Sequence, residues 1–197
     1  MKAKSSPRMQ VVKREDKQEK LTSFIISHID QFNHKRMPGD THEVQLVALS
    51  AVSPVMSALK TAAERIDLSK VHLRLILASI EPTDVIQELA GLPSFSLSWA
   101  RNARLLDAHE QLVICDTTCW IGDCMRRAPR ERDAFECFAD DCHETSAWAR
   151  RSFERLWALS IPLLAVSDDS DADTELLMTL PAQVADLKAA EVFGTRH

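Results

Sequence analysis

Between Val44 and Trp99 the apolar residues of this chain change period four times, which restricts the folds open to it more than any composition does. Val44–Ser50 is a short apolar run of strand length. Ser53-Pro54 then opens a helix, with serine at the N-cap and proline in the first turn. Val55, Met56, Leu59, Ala62, Ala63 and Ile66 follow at helical spacing. Val71, Leu73, Leu75 and Leu77 alternate strictly, so residues 71–77 read as a strand. A helix is predicted over Thr83–Ala90, stopped by Gly91 at its C-terminal cap, and Phe95, Leu97 and Trp99 alternate as a third strand.

The pattern continues downstream. Gln111–Cys115 reads as a buried strand ended by turn formers at Asp116 and Thr117, and Cys119–Ile121 as another short one. On such a strand His109 and Gln111 share a face, because side chains alternate. Glu144–Leu159 closes the unit as a helix with Trp148, Ser152, Phe153, Leu156 and Trp157 on one side. The order β-α-β-α-β-β-β-α predicts an α/β protein, a mixed sheet covered by helices. There is no internal repeat of this unit.

The ends differ in character. Residues 1–20 carry seven basic and three acidic side chains with little apolar content, the composition of a disordered basic tail. Leu21, Phe24, Ile25, Ile29 and Phe32 predict an amphipathic helix, and Pro38-Gly39 breaks it, so residues 21–40 are a helix and linker. The main domain spans residues 41–165. Residues 166–197 read as an acidic linker with a short helix over Pro181–Val192.

The chain of 197 residues has a net charge of −5, which disfavours non-specific coating of nucleic acid but leaves room for a local basic groove. No apolar run reaches the 18 residues of a membrane span and no signal-peptide core is visible, so a cytoplasmic protein is expected. Five cysteines, at 115, 119, 124, 137 and 142, fit reduced, buried thiols better than a disulfide framework or a zinc site. Four glycines form no phosphate-binding loop, and no serine nucleophile elbow is present.

Against this background, His109-x-Gln111-x4-Asp116 resembles the His-x-Lys-x4-Asp signature of the phospholipase D superfamily, with glutamine in place of lysine. The likeness covers about residues 43–162. Pro54–Arg65 followed by His72–Leu77 is similar to the family's first helix and second strand, although the Arg-Gly-Val between them is missing. Ile121-Gly122-Asp123-Cys124-Met125 sits where the family has Val-Gly-Ser-x-Asn, keeping only the glycine. Glu136, in Phe135-Glu136-Cys137-Phe138, falls at the family's strand glutamate, and Phe153–Trp157 resembles its closing helix.

The resemblance implies a phospholipase D-like half-domain and a metal-free phosphodiesterase with no cofactor. His109 would attack phosphorus or protonate the leaving oxygen, Glu136 would orient its ring, and Asp116 would hold the turn. A single half-domain supplies one histidine, so the resemblance implies a homodimer that brings two His109 side chains together, with nucleic acid a better substrate than lipid. Gln111 can donate hydrogen bonds but no charge, and Asp123 adds a negative one. Arg126, Arg127 and Arg130 are the candidate substrate-binding cations, with Arg132 nearby, and their alternative role is a solvated loop. The competing expectation is an inactive module of the same fold that binds nucleic acid or a protein partner.

Overall fold

The computed structural model describes residues 6–35, 42–101, 109–122, 134–166, and Ala182, Val184 and Ala185. Eight strands form one mixed sheet. They are β1 (Arg8–Val12), β2 (His42–Ala48), β3 (Val71–Leu77), β4 (Phe95–Trp99), β5 (Gln111–Val113), β6 (Cys119–Ile121), β7 (Ala134–Ala139) and β8 (Ile161–Val166). Their order in space is β1-β7-β6-β5-β2-β3-β4-β8. The pairs β2/β3 and β3/β4 are parallel and the others antiparallel. Four helices complete the described fold: α1 (Arg14–Lys35), α2 (Pro54–Ala63), α3 (Pro82–Leu89) and α4 (His143–Leu159).

Alternation divides the sheet into two unlike faces. Val44, Leu46, Leu73, Leu75, Leu97 and Leu112 point into the main core, shared with α1, α2 and α3. Leu21, Ile25 and Ile29 of α1 recur every fourth residue in that core. Each such fully buried side chain stabilises the fold by roughly 1.5–3 kcal/mol. On the opposite face, Val47 and Ile76 pack against Phe153 and Leu156 of α4. Arg74 fixes that helix in place: Nη1 and Nη2 donate to Glu154 Oε1 and Oε2 at 2.7 and 3.1 Å, and the guanidinium lies 4.4 Å from the Trp157 ring centroid.

Several expectations change. Residues 8–12 are a strand paired with β7, and α1 begins at Arg14, so these residues are no tail. The polar composition concealed this because β1 is held by backbone pairing at a sheet edge, where little side-chain burial is needed. β8, absent from the predicted order, pairs antiparallel with β4 at the other edge, where Pro162 is tolerated. Ser53 occupies the N-cap position, but its hydroxyl accepts the Ser50 N–H at 3.0 Å instead of capping α2. Gly91 follows α3 with φ +88°, the left-handed conformation its position demanded. Of the expected C-terminal helix only three residues are described, and Val184 among them is buried in the main core. Among the described residues no helix is long and apolar enough to cross a membrane.

Candidate functional site

The strands that carry the sequence motif run antiparallel side by side, so their residues form rungs. Gln111 of β5 sits opposite Val47 of β2 and Ile121 of β6, and Ile121 sits opposite Cys137 of β7. This rung faces α4. Gln111 is buried, and its Nε2 donates to the backbone oxygen of Ala149 at 2.9 Å. Ile121, Cys137 and Ala149 belong to one apolar cluster, so the amide donates to Ala149 O in apolar surroundings.

The neighbouring rung faces the other way, toward α1. Gly122 N–H donates to Glu110 O at 2.8 Å, which continues the β5–β6 ladder beyond the last paired residues. The β6–β7 register brings Glu136 beside Gly122, and a Cβ on Gly122 would lie 3.3 Å from Glu136 Oε2. The same Cβ would lie 2.5 Å from Trp120 Cζ2, so only glycine leaves room for that ring. Above the glycine, Lys17 of α1 inserts its ammonium. Nζ lies 3.2 Å from Glu136 Oε1, 3.5 Å from Glu110 Oε2 and 5.0 Å from the Trp120 ring centroid. Glu110 Oε1 also accepts the Leu49 N–H at 3.1 Å, which ties the cluster to the end of β2.

Two carboxylates thus share one buried ammonium over an indole face. Glu136 is 1% exposed, and neither of its oxygens has a well-aligned hydrogen bond among the described residues. Burial raises its carboxyl above the ordinary value, against the opposing pull of Lys17.

The sequence-derived site residues are therefore spread apart. Gln111 and Glu136 lie on opposite faces of the sheet, one on α4 and one on α1. His109 precedes β5, so strand alternation does not fix its face as the sequence suggested; it is half-buried, with no hydrogen bond or ion pair to other described residues. Asp116 lies exposed in the turn after β5 and pairs with Arg150 Nη2 of α4 at 3.0 Å. Asp123, Arg126, Arg127 and Arg130 lie outside the described residues. Cys119, Cys137 and Cys142 are buried and Cys115 is half-buried. His72 hydrogen-bonds Ser94 Oγ and Ser96 Oγ at 2.8 and 3.0 Å.

Lys17 and Glu110 escaped the sequence reading, though one signal was present. Position 17 is one turn before Leu21, on the stripe continued by Ile25 and Ile29. A lysine there had to be buried or break the stripe.

No family model matches this sequence, and no curated protein matches it. Solved structures do resemble it. Nuc from Salmonella typhimurium, a phospholipase D family member, aligns with 80% of this chain and 98% of its own at 12% identity, TM-score 0.50. NucT from Helicobacter pylori aligns with 80% and 99% at 13% identity, TM-score 0.51. The mixed eight-stranded sheet with its four helices is the α/β fold of a phospholipase D-like half-domain.

Proposed function

We propose that this protein is a phospholipase D-like module in which the phosphodiesterase site is not assembled, and that it acts by binding, with nucleic acid as the ligand. The observation that carries the reading is Gln111. Its amide is buried under α4 and donates to Ala149 O, so it has no reach toward a phosphate at the strand mouth. Glu136, the intended partner of His109, instead holds Lys17 on the other face. A lost preorganised electrostatic contact lowers turnover by about 10²–10³. Here the motif cation is absent and the carboxylate is engaged elsewhere. With no second histidine required, nothing in this reading needs two His109 side chains across an axis.

Nucleic acid is favoured by Arg126, Arg127, Arg130 and Arg132, four guanidinium groups within seven residues just beyond Gly122. Binding of short labelled oligonucleotides should therefore weaken with salt, and weaken further in Arg126→Ala/Arg127→Ala. Salt-independent binding, or none, would contradict the ligand class. A second reading rests on His109 itself, half-buried at the strand mouth. If it catalyses, hydrolysis of a chromogenic diester will survive chelator and vanish in His109→Ala.

A further inference from the structure

The outward side of α4 carries residues that the fold does not use. Ser146, Ala149, Phe153 and Leu156 form the buried side of the helix, turned to the sheet. At about 100° per residue, Trp148, Arg151, Arg155 and Leu159 fall within about 80° of one another on the side turned to solvent. Burial agrees: Trp148 is 49% exposed, Leu159 64%, and both arginines are exposed. The sequence pattern groups Trp148 with Phe153 and Leu156, but the structure turns it outward.

Trp148 stands apart from the other tryptophans. Trp99 and Trp120 are buried, and Trp157 is half-buried and stacked on Phe153, ring centroids 5.6 Å apart. Leaving so large a ring half in water forgoes the burial that usually holds a tryptophan. The arginines divide in the same way. Arg74 is engaged by Glu43 and Glu154, and Arg150 by Asp116 at 3.0 Å. Neither the Arg151 nor the Arg155 guanidinium has an ion pair or hydrogen bond with another described residue. The nearby acids do not neutralise them. Glu154 holds Arg74, and Glu144 lies in the first turn, where the helix N-terminus favours a negative charge. Two uncommitted cations therefore stand one turn apart on a chain whose net charge is −5.

Along the axis Trp148 lies about 4.5 Å from Arg151 and about 10.5 Å from Arg155. An unpaired base stacks on an indole face, and a guanidinium fork binds phosphate oxygens two at a time. A base inside a duplex has no free face to offer. The arginines also separate Trp148 from Leu159, so the stripe is not the continuous apolar patch that marks a protein partner. We infer that this stripe binds single-stranded nucleic acid, with one base stacked on Trp148 and phosphates on Arg151 and Arg155. The inference rests on the nucleic-acid reading above and extends the contact to α4.

Titration of a short labelled single strand into the full chain, at several salt concentrations, separates the two contacts. Trp148→Ala should weaken binding about 5- to 150-fold and leave the salt slope unchanged, whereas Trp148→Phe should keep most of the affinity. Arg151→Gln/Arg155→Gln should make the slope of log K against log salt shallower by about 1.4, two phosphates at about 0.7 each. All three side chains face solvent, so unfolding curves of these variants should match the wild type. Trp148→Ala should not change binding of a duplex of the same sequence, and an equal loss on duplex and single strand would contradict stacking. If Arg126→Ala/Arg127→Ala weakens binding and the α4 variants do not, the nucleic-acid reading stands and this inference falls, leaving the stripe to a protein partner. If the wild type binds no oligonucleotide, both fall.

Discussion

Two adjacent rungs of the same strands have opposite chemistry. The Gln111–Ile121–Cys137 rung is apolar apart from one amide, which the Ala149 carbonyl satisfies. The Glu110–Gly122–Glu136 rung, one residue away, gathers two carboxylates around an ammonium. A shift of one residue turns every side chain to the other face. Residues that stand close in a motif can therefore end up with the whole thickness of a sheet between them. That separation keeps Gln111 from acting where Glu136 sits.

The comparison is most severely tested by removing the charge from one rung. Lys17→Met leaves Glu136 buried without its ammonium, and breaking a buried pair costs about 3–5 kcal/mol. Thermal or urea unfolding should show that loss, and Lys17→Met/Glu136→Gln should recover much of it. If Lys17→Met is neutral, the ammonium is not held as described. Gly122→Ala comes next. Its methyl would meet the Trp120 ring at 2.5 Å, and overpacking of this kind costs about 1–3 kcal/mol. Trp120→Leu should relieve the clash, so the double variant should lose less than the two single losses added together.

The apolar rung is probed by Gln111→Leu. It removes the hydrogen bond to α4 but keeps the volume, and should cost about 0.5–1.5 kcal/mol. Gln111→Lys instead places an ammonium under α4. It should lower stability without creating diesterase activity, whereas a gain in turnover would show that position 111 does reach the strand mouth.

The smallest effect is in pH dependence. Burial raises the Glu136 carboxyl above its ordinary value of 4.5, so the folded state holds that proton more tightly than the unfolded chain does. The stabilisation from the proton is complete below 4.5 and is lost as pH rises through the raised value. The stability difference between wild type and Glu136→Gln should therefore move against the wild type across that window. A flat difference would mean that Lys17 offsets the burial completely.

How much of this could be read from the residues depends on what set each element. The strands β2, β3 and β4 and the helices α2 and α4 are governed by burial, and burial writes its period into the sequence. β1 is set by pairing with β7, and Arg8-Met9-Gln10-Val11-Val12 carries no clear period. The start of α1 was hidden because Lys17, a core position, is filled by a charge whose partners lie 93 and 119 residues away (110 − 17 and 136 − 17). The motif residues were visible, but their faces were not. β5 begins only at Gln111, so His109 lies outside the alternation, and the face of Glu136 depends on the β6–β7 register, which local sequence does not encode.

The central claim, that the fold holds no assembled phosphodiesterase site, is tested most directly by acid-quenching the protein after incubation with a labelled diester and chelator, then assaying for phosphohistidine. No label should be retained, and wild type and His109→Ala should be indistinguishable. Label on wild type that His109→Ala abolishes, accompanied by turnover, would contradict the account.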